Sequence, residues 1–307
     1  DGDGVADLKA AFIENLNSPF GMALHDEVLF VANTDAVLAF DYVEGRTQID
    51  TPGRAVLALP AQAPNSHWTK NLLLDVESNR LFVAVGSNSN IGELGPMQEA
   101  GRAAIWSVDL ETFGAEIYAR GLRNPVGMAL NPKTGALWTA VNERDQLGDD
   151  LVPDYLAEVA RGDDYGWPTR YWGVLRDPRV PEDWFEAAEG GNNPSGITGQ
   201  QTGAQSPKVR IPAYALGAHT ASLGLAFYTH DAIPVLKNGA IIGQHGSWNR
   251  EPKSGYQVLF VPFNEAGQPT GAPRHILTGF LDDKGRAMGR PVGVVVDQRG
   301  DILVADD

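Results

Sequence analysis

The best candidate for proton transfer in this sequence is a histidine in a polar segment that precedes an apolar run. Residues 65–70 read Asn-Ser-His-Trp-Thr-Lys, which places His67 shortly before the run at 71–74. An imidazole titrates near neutral pH, so His67 is suited to act as a general base. A histidine that enters a strand can face a central channel, whereas a histidine in a surface loop would be chemically idle, and both interpretations stay open. None of the six histidines forms a His-x-x-x-His pair, which argues against catalytic zinc.

Three arginines lie in polar segments next to other apolar runs. Arg123 precedes a run together with Asn124, Arg250 ends the motif His-Gly-Ser-Trp-Asn-Arg (245–250), and Arg290 stands directly before a further run. A guanidinium group is a planar fork of donors that matches a carboxylate. The three arginines could therefore surround one anionic ligand, and three separate surface arginines are the alternative.

An acidic segment follows another apolar run. Residues 142–150 contain Glu143, Asp145, Asp149 and Asp150, four acids within eight residues. Carboxylate and carbonyl oxygens are hard ligands, which suit Ca²⁺ better than a soft metal. A solvated acidic turn without a metal is the alternative.

The composition excludes several classes of function. The chain has 307 residues, and 24 basic against 39 acidic side chains give a formal charge of −15. Such a surface repels nucleic acid and anionic membranes, so we predict neither as a partner. The absence of cysteine excludes disulfides and thiolate chemistry. No apolar run reaches the roughly 20 residues of a membrane helix, and the first residues are not a signal peptide, so we expect any export leader to have been removed or to lie outside this chain.

The elements that must carry these residues are short strands. Five pairs of apolar runs recur, each joined by a turn rich in Asn, Asp, Gly or Lys, and this pattern predicts β-hairpins. The pairs span residues 19–33, 71–86, 125–142, 223–243 and 291–306. Third strands follow some of the pairs, and the repeat of roughly 50–70 residues is near the length of a propeller blade.

A few segments depart from this repeat. Residues 149–160 predict a short helix or turn, and residues 176–207, rich in Gly, Pro, Asn and Gln, predict a long surface loop. Residues 1–7 resemble part of a calcium loop but lack its distal Glu, so we predict a plain Asp/Gly turn, with a structural ion as the alternative. No linker divides the chain, so we predict a single all-β catalytic domain, a β-propeller over residues 1–307.

Matches to one family run in order along the whole chain. The matching segments are Pro-Phe-Gly-Met-Ala-Leu (19–24), Val-Ala-Asn-Thr-Asp-Ala (31–36), His-Trp-Thr-Lys-Asn-Leu (67–72), Val-Gly-Ser-Asn-Ser-Asn (85–90), Arg-Asn-Pro-Val-Gly-Met-Ala (123–129), residues 142–155, Tyr-Gly-Trp-Pro (165–168), residues 245–250, Gly-Arg-Pro-Val-Gly-Val (289–294) and Val-Ala-Asp-Asp (304–307). In these segments the chain resembles the sorbosone dehydrogenase-like family of pyrroloquinoline quinone (PQQ)-dependent sugar dehydrogenases, which includes the fungal pyranose dehydrogenases. It is more distantly similar to the soluble quinoprotein glucose dehydrogenases.

The resemblance implies a fold and roles for individual residues. The implied fold is a six-bladed β-propeller with PQQ and Ca²⁺ over its central channel, here with an incomplete first blade. His67 matches the general base, and His245 is the next candidate. The positions that match cofactor-binding residues are Arg123, Asn124, Thr220, His245, Arg250 and Arg290. The expected Ca²⁺ ligands are the backbone carbonyls of Arg144 and Asp145, with the acids Asp149 and Asp150 from the same loop. We expect the mouth of the site to be ringed by Trp68, Trp248, His219 and residues 176–207.

Three positions depart from the glucose dehydrogenases. Those enzymes have an Asp that orients the catalytic histidine where this chain has Ser87, a second arginine where it has Val292, and an aromatic partner of the quinone near Ala218. Because Ser87 carries no charge, we expect His67 to keep a lower pKa than it would beside a carboxylate. Alternatively, Glu99 replaces the missing acid in space.

Together, these implications predict an oxidoreductase. His67 would remove a proton from a pyranose, another aldose or a hydrated aldehyde such as sorbosone, and the hydride would pass to Ca²⁺-bound PQQ. The electrons would pass to a cytochrome, a dye-like acceptor or another domain of a longer chain, and we expect a periplasmic or extracellular location. Two alternatives stay open: a calcium-dependent sugar lactonase on a similar propeller, and a non-catalytic propeller that binds a partner.

Overall fold

The computed structural model describes residue 5, residues 7–189 and residues 209–307. Most of the Asp/Gly turn predicted at 1–7, and residues 190–207 of the predicted surface loop, lie outside the described residues.

The described residues form four four-stranded antiparallel sheets, a two-stranded sheet and a small hairpin. The first sheet contains β1 (Met22–His25), β2 (Val28–Ala32), β3 (Ala36–Asp41) and β4 (Arg54–Ala58). The second contains β5 (Lys70–Asp75), β6 (Arg80–Val85), β7 (Ala104–Asp109) and β8 (Ala115–Arg120). The third contains β9 (Pro125–Leu130), β10 (Leu137–Val141), β11 (Pro153–Val159) and β14 (Tyr214–Ala218).

The remaining elements complete the described chain. The small hairpin pairs β12 (Arg170–Tyr171) with β13 (Leu175–Arg176). The fourth sheet contains β15 (Ser222–Tyr228), β16 (Gly239–Gln244), β17 (Gln257–Pro262) and β18 (Arg274–Leu277). The two-stranded sheet pairs β19 (Pro291–Val296) with β20 (Ile302–Asp306). The helices are a 3-10 helix at Pro96–Glu99, α1 (Glu182–Glu189) and a 3-10 helix at Pro234–Leu236.

The sheets pack face to face, which explains why their central strands read as continuous apolar runs. Successive side chains of a strand point to opposite faces of its sheet. In β6, Leu81 and Val83 therefore pack with side chains of the first sheet, whereas Phe82 and Ala84 pack with side chains of the third. Because both faces of the strand are buried, both sets of positions are apolar.

The first strands of consecutive sheets lie side by side in the order β1, β5, β9, β15, β19. This order places the sheets around a common axis, and the predicted all-β propeller arrangement is thereby confirmed. The predicted count of six blades stays a prediction, because the described residues form four four-stranded sheets and one two-stranded sheet. The two-stranded sheet is the last one along the chain, and the first sheet has four strands, β1–β4, each paired with the next.

One local prediction was wrong, and a second was wrong in the part of its segment that the structure describes. The helix or turn predicted at 149–160 is largely strand β11, because this segment pairs with β10 on one side and β14 on the other. The surface loop predicted at 176–207 begins with the end of β13 and contains helix α1. In the described part of the chain, no helix is long and apolar enough to cross a membrane.

Candidate active site

The predicted site segments lie at one end of the propeller. The residues before the first strand of a sheet and those after its second strand lie at the same end, because the two strands are antiparallel. His67 precedes β5, and Arg123 and Asn124 precede β9, while residues 86–90 follow β6 and residues 142–150 follow β10. The later sheets contribute His219 and Thr220 before β15, residues 245–250 after β16, and Arg290 before β19.

His67 is partly buried, and Ser87 fixes the orientation of its ring. Nδ1 of His67 lies 2.9 Å from the Ser87 carbonyl oxygen and 2.9 Å from Ser87 Oγ. The Ser87 hydroxyl donates its proton to the Ser89 carbonyl at 2.6 Å, so both Ser87 oxygens face Nδ1 as acceptors. The neutral ring therefore carries its proton on Nδ1 and keeps a lone pair on Nε2. Within the described residues, Nε2 has no hydrogen-bond partner.

The surroundings of His67 favour the neutral ring. Burial lowers the pKa of His67 well below its ordinary value, and the Arg123 guanidinium lowers this pKa further. The hydrogen bond to the Ser87 carbonyl acts in the opposite direction and is the weaker influence. A neutral imidazole with an unprotonated Nε2 is the form that a general base requires.

Glu99 does not contact the His67 ring through a hydrogen bond. Its carboxylate accepts hydrogen bonds from the backbone of Asn88 at 2.7 Å and from the backbone and hydroxyl of Ser89 at 3.1 and 2.7 Å. The oxygens that face Nδ1 belong to Ser87.

A glycine brings His67 and Asn124 together. A Cβ added to Gly86 would lie 2.3 Å from Oδ1 of Asn124 and 2.5 Å from Cβ of His67, so only glycine fits between these side chains. Asn124 is 4% exposed. Its Oδ1 is buried and has no hydrogen-bond partner in the part of the chain described here.

Arg123 is buried in a network of neighbouring oxygens. Its guanidinium donates to the carbonyl and Oδ1 of Asn90 at 3.1 and 2.9 Å, to the Asn142 carbonyl at 3.2 Å, and to Oδ2 of Asp145 at 3.2 Å. Asn90 also accepts the backbone N–H of Asp145 at 2.9 Å. These contacts join the segment after β6 to the loop after β10.

The carboxylate of Asp145 contacts side chains from the segments next to strands β15 and β16 of the fourth sheet. Its Oδ1 lies 3.2 Å from Nδ1 of His219 and accepts a hydrogen bond from Nδ2 of Asn249 at 3.0 Å. His219 also contacts the Gly148 carbonyl through Nε2 at 2.8 Å. Oδ1 of Asn249 is buried without a partner among the described residues.

The predicted ring of residues at the mouth of the site is only partly right. His219 is 6% exposed and lies within the network of Asp145, so it does not line an open mouth. The two tryptophans are open to solvent, because Trp68 is 44% and Trp248 is 74% exposed.

The loop that follows β10 is held by a buried cluster of ion pairs. Arg144 is fully buried and pairs with Glu143 at 2.9 Å and with Asp177 at 3.1 Å. Arg179 pairs with Asp177 at 2.7 Å and donates to the Asp145 carbonyl at 2.7 Å. The same carbonyl accepts a hydrogen bond from Nδ2 of Asn90 at 3.1 Å. The Asp145 carbonyl, a predicted Ca²⁺ ligand, is therefore bonded to two donors of the chain itself.

Thr220 belongs to a buried polar layer below these loops. Its hydroxyl lies 2.9 Å from Oδ2 of Asp154, which also accepts the backbone N–H of Ser222 at 2.7 Å. Oδ1 of Asp154 accepts the backbone N–H of Glu143 at 2.9 Å. Burial raises the pKa of Asp154 to about 6. Thr220 is thus fixed in place through Asp154, a residue of β11.

The two remaining arginines have separate partners. Arg250 donates to the Asp149 carbonyl at 2.9 Å and pairs with Asp150 at 3.1 Å. Arg290 lies over the ring of Tyr256, 5.0 Å from its centre, and makes contacts of 3.5 Å with the carbonyls of His245 and Gly246. The three arginines therefore approach the same end of the propeller without sharing a partner.

Sequence reasoning missed several residues that hold this site together. Asn90 bridges Arg123 and Asp145, Asn249 contacts Asp145, and Arg179 contacts the Asp145 carbonyl. Asn90 and Asn249 both lie inside motifs that match the resembled family, so the motifs contained the signal. Arg179 lies in a segment without such a motif.

Several known proteins are similar in sequence to this chain. The chain is 26% identical to an uncharacterized protein of Borreliella burgdorferi, over 96% of this chain and 74% of that protein. It is 24% identical to a pyrroloquinoline quinone-dependent sugar dehydrogenase of Hypocrea jecorina, over 95% of this chain and 72% of that protein. It is 26% identical to a pyrroloquinoline quinone-dependent pyranose dehydrogenase of Coprinopsis cinerea, over 77% of this chain and 38% of that protein.

Solved structures share the fold. The holo form of the PQQ domain of Coprinopsis cinerea pyranose dehydrogenase matches with a TM-score of 0.73 at 21% identity, over 100% of this chain and 84% of that one. A Trichoderma reesei structure of carbohydrate-active enzyme family AA12 matches with a TM-score of 0.72 at 23% identity, over 94% and 78% of the two chains. A family model described as TrAA12-like matches residues 2–307. The chain therefore belongs to the TrAA12-like family.

Proposed function

We propose that this protein is a PQQ-dependent dehydrogenase that oxidises a pyranose, another aldose or a related aldehyde. The names of its relatives in Hypocrea jecorina and Coprinopsis cinerea support this class of reaction. The observation that carries the proposal is the state of His67, whose Nδ1 is bonded to Ser87 and whose Nε2 keeps a lone pair.

The chain's own residues supply the proton chemistry. Nε2 of His67 takes the proton of the anomeric hydroxyl of the sugar, or of a hydroxyl of a hydrated aldehyde. The resulting imidazolium keeps its hydrogen bond from Nδ1 to Ser87, so the ring does not have to turn between its two protonation states. When bound, PQQ supplies a quinone carbonyl carbon that accepts the hydride, and Ca²⁺ supplies a Lewis acid. The sugar thereby loses one proton and one hydride and becomes a lactone or an acid.

The residues near His67 fit a polar cofactor. The buried Oδ1 of Asn124 lacks a hydrogen-bond donor within the described chain, and such an atom is costly unless a ligand satisfies it. We propose that Asn124 and Arg290 bind PQQ, since the 3.5 Å contacts of Arg290 leave it able to pair with a carboxylate. We propose that Arg123, Thr220, His245 and Arg250 also belong to the cofactor-binding site.

The loop after β10 also fits a hard cation. We propose that Ca²⁺ binds the carbonyl oxygens of Arg144 and Asp145, with Asp149 and Asp150 as nearby acids. Oδ1 of Asn249, beside Asp145, is buried without a donor from any described residue, and a cation would satisfy it. Among residues 7–189 and 209–307, no cluster of three or more His, Asp or Glu side chains is arranged for a metal ion. Such a site would use mainly carbonyl and amide oxygens, and the ion would compete with Arg179 and Asn90 for the Asp145 carbonyl.

We also propose a sugar as the small-molecule partner and a cytochrome, a dye-like molecule or a further domain as the electron acceptor. We propose a periplasmic or extracellular location.

The test is reconstitution. The purified protein is mixed with PQQ and Ca²⁺, with PQQ and a chelator, or with Ca²⁺ alone, and dye reduction is measured with a panel of aldoses, pyranoses and the corresponding lactones. We expect dye reduction with a sugar only when PQQ and Ca²⁺ are both present. Lactone hydrolysis with Ca²⁺ alone would instead identify a lactonase, and no turnover in any mixture would support a non-catalytic propeller.

A further inference from the structure

A buried carboxylate that the proposed reaction does not use lies behind the candidate base. Glu99 ends the 3-10 helix Pro96–Glu99 and is 1% exposed. Its two oxygens accept three hydrogen bonds, from the backbone N–H groups of Asn88 and Ser89 and from the Ser89 hydroxyl, at 2.7, 3.1 and 2.7 Å. A buried carboxylate with this many donors holds the backbone around it in one conformation.

The segment that Glu99 holds is the one that presents Ser87 to His67. The Ser89 carbonyl accepts the Ser87 hydroxyl proton at 2.6 Å. Because a hydroxyl has only one proton, this bond leaves Ser87 Oγ with only lone pairs toward Nδ1 of His67. Any rotation of the 88–89 backbone would release the Ser87 hydroxyl, which could then donate to Nδ1 and favour the opposite tautomer.

A neighbouring arginine fixes the loop that carries His67 to the same platform. Arg102 is 1% exposed, and its backbone N–H bonds to the Glu99 carbonyl at 3.0 Å. Its guanidinium donates to Oδ1 of Asn65 at 2.6 Å and to the Gln62 carbonyl at 3.1 Å. The backbone N–H of Asn65 donates in turn to Oδ1 of Asn88 at 2.7 Å. The loops before β5 and after β6 are therefore both bound to residues 99–102.

We propose that Glu99 is a positioning residue that selects the protonation site of His67. By holding Asn88 and Ser89, it keeps both Ser87 oxygens as acceptors, so that the neutral ring carries its proton on Nδ1 and leaves Nε2 free for substrate. This inference rests on the proposed role of His67 as base, but the tautomer itself is a property of the protein without cofactor or sugar. Glu99 thus acts where the glucose dehydrogenases use an Asp, but through the backbone and Ser87 rather than by direct contact.

The experiment measures the tautomer directly. Protein labelled with ¹⁵N-histidine is studied by long-range ¹H–¹⁵N NMR, and the His67 ring is assigned by its loss in His67→Gln. We expect the neutral His67 ring of the unmodified protein to carry its proton mainly on Nδ1. In Glu99→Gln, an amide N–H₂ group meets the Asn88 or Ser89 N–H, and we expect the Nδ1–H to Nε2–H ratio to fall by about three- to tenfold, the change that follows loss of one ordinary hydrogen bond.

The chain offers a matched control away from this segment. Asp109, at the end of β7, accepts the same kinds of donor as Glu99, namely the backbone N–H groups of Glu111 and Thr112 and the Thr112 hydroxyl, at 3.1, 2.8 and 2.9 Å. Asp109→Asn should leave the tautomer ratio unchanged. An unchanged ratio in a folded Glu99→Gln protein would overturn the proposal.

A second variant keeps the test decisive if Glu99→Gln does not fold. Ser87→Ala removes the hydroxyl acceptor but keeps the carbonyl acceptor, so the ratio should fall by a smaller factor in the same direction. No change in Ser87→Ala would exclude the hydroxyl from the selection and overturn the relay from Glu99. Since neither readout uses PQQ or sugar, a failure of reconstitution would count against the proposed function and leave this inference standing.

Discussion

The chemistry proposed for His67 depends on a difference between its two ring nitrogens. Nδ1 faces two acceptors on Ser87, and Nε2 has no partner among the described residues. Burial and the Arg123 guanidinium both oppose a positive charge on the ring. The proposed base is therefore neutral, and its free nitrogen is fixed in direction before a substrate arrives, which is the arrangement that lowers the cost of proton transfer.

The first prediction removes this base. His67→Ala should lower kcat by about 10²–10⁴-fold, the usual contribution of a general base, while PQQ affinity stays within a small factor. Dye reduction and isothermal calorimetry measure the two quantities. The exposed His275 serves as the control, because His275→Ala should change neither. Near-normal turnover in His67→Ala would move the base elsewhere, with His245 next.

The second prediction concerns pH. Ser87→Asp places a carboxylate beside Nδ1, which stabilises the imidazolium and raises the pKa of His67. The neutral form then disappears at a higher pH as the solution is acidified, so the acidic limb of kcat/KM should move upward. Ser87→Asn has a similar size without the charge and should not move the limb upward. A profile for Ser87→Asp that coincides with that of Ser87→Asn would show that position 87 is not the charge-sensitive partner of His67.

The third prediction uses the close contact at Gly86. In Gly86→Ala, the new methyl group would lie 2.3 Å from Asn124 Oδ1 and 2.5 Å from the His67 Cβ, so both side chains must move. We expect a loss of about 1–3 kcal/mol in the free energy of unfolding, as for other overpacked sites, together with weaker PQQ binding. Gly114→Ala is the control, since its nearest neighbour is the Thr112 hydroxyl at 3.3 Å. Unchanged stability and PQQ binding in Gly86→Ala would contradict the geometry of this contact.

At the scale of elements, most of the hairpins were easier to predict than strand β11. The paired apolar runs and turn residues predicted most of the hairpins, because in-register pairing of two adjacent runs is a local event. β11 was missed because its sequence contains Asp154 and Glu158, which fit a helix or turn as well as a strand. The strand forms because both of its edges are paired and because Asp154 bonds to Thr220, which lies 66 residues away. Such a distant partner is not visible in local sequence.

The same limit applies to the loop after β10. Its four acids predicted oxygen ligands, but the partners of Asp145 and Asp150 come from other segments: Arg123, Arg179, His219 and Arg250. Asp145 alone contacts residues from 55 positions before it to 104 positions after it. The kinds of oxygen atom that the loop contains follow from its sequence, whereas its neighbours are set by the way the sheets are arranged around the axis.

The fourth prediction follows from the contact between Arg179 and this loop. If Ca²⁺ uses the Asp145 carbonyl, it competes with the two donors of that carbonyl, and the bond from Arg179 at 2.7 Å is both shorter than the bond from Asn90 at 3.1 Å and charge-assisted. Removal of this charge-assisted bond in Arg179→Met should tighten Ca²⁺ binding by about tenfold, measured by calorimetry on the protein without PQQ. Arg299→Met removes an equal charge from an exposed side chain far along the sequence and should have a much smaller effect.

Thermal unfolding of Arg179→Met is measured alongside, because Asp177 loses one of its two arginine partners and keeps Arg144. Equal or weaker Ca²⁺ affinity in a folded Arg179→Met protein would place the ion away from the Asp145 carbonyl.

At the scale of the whole molecule, the repeat pattern predicted the propeller arrangement, and the composition predicted a negative net charge. Alternate side chains of a central strand such as β6 enter two different sheet interfaces, so such a run had to be apolar throughout, and this made the repeat visible. The number of blades stays a prediction, because the described residues form four four-stranded sheets and one sheet of only two strands. The surface charge is independent of this count, since it follows from composition alone.

The last prediction concerns the electron acceptor. A net charge of −15 attracts cationic molecules to the surface and repels anions, and salt screens this interaction over a Debye length of about 10 Å at 0.1 M. After reconstitution, reoxidation by a small cationic acceptor such as hexaammineruthenium(III) should slow as salt is added, whereas reoxidation by anionic ferricyanide should accelerate. An uncharged benzoquinone, whose rate should be nearly independent of salt, controls for effects on the protein itself. The measurement is the second-order rate constant for each acceptor at saturating sugar. The salt concentration is varied from about 10 to about 300 mM, the range over which screening becomes strong. Parallel salt dependence for the two charged acceptors would show that a local patch of opposite sign, rather than the net charge, governs access to the site.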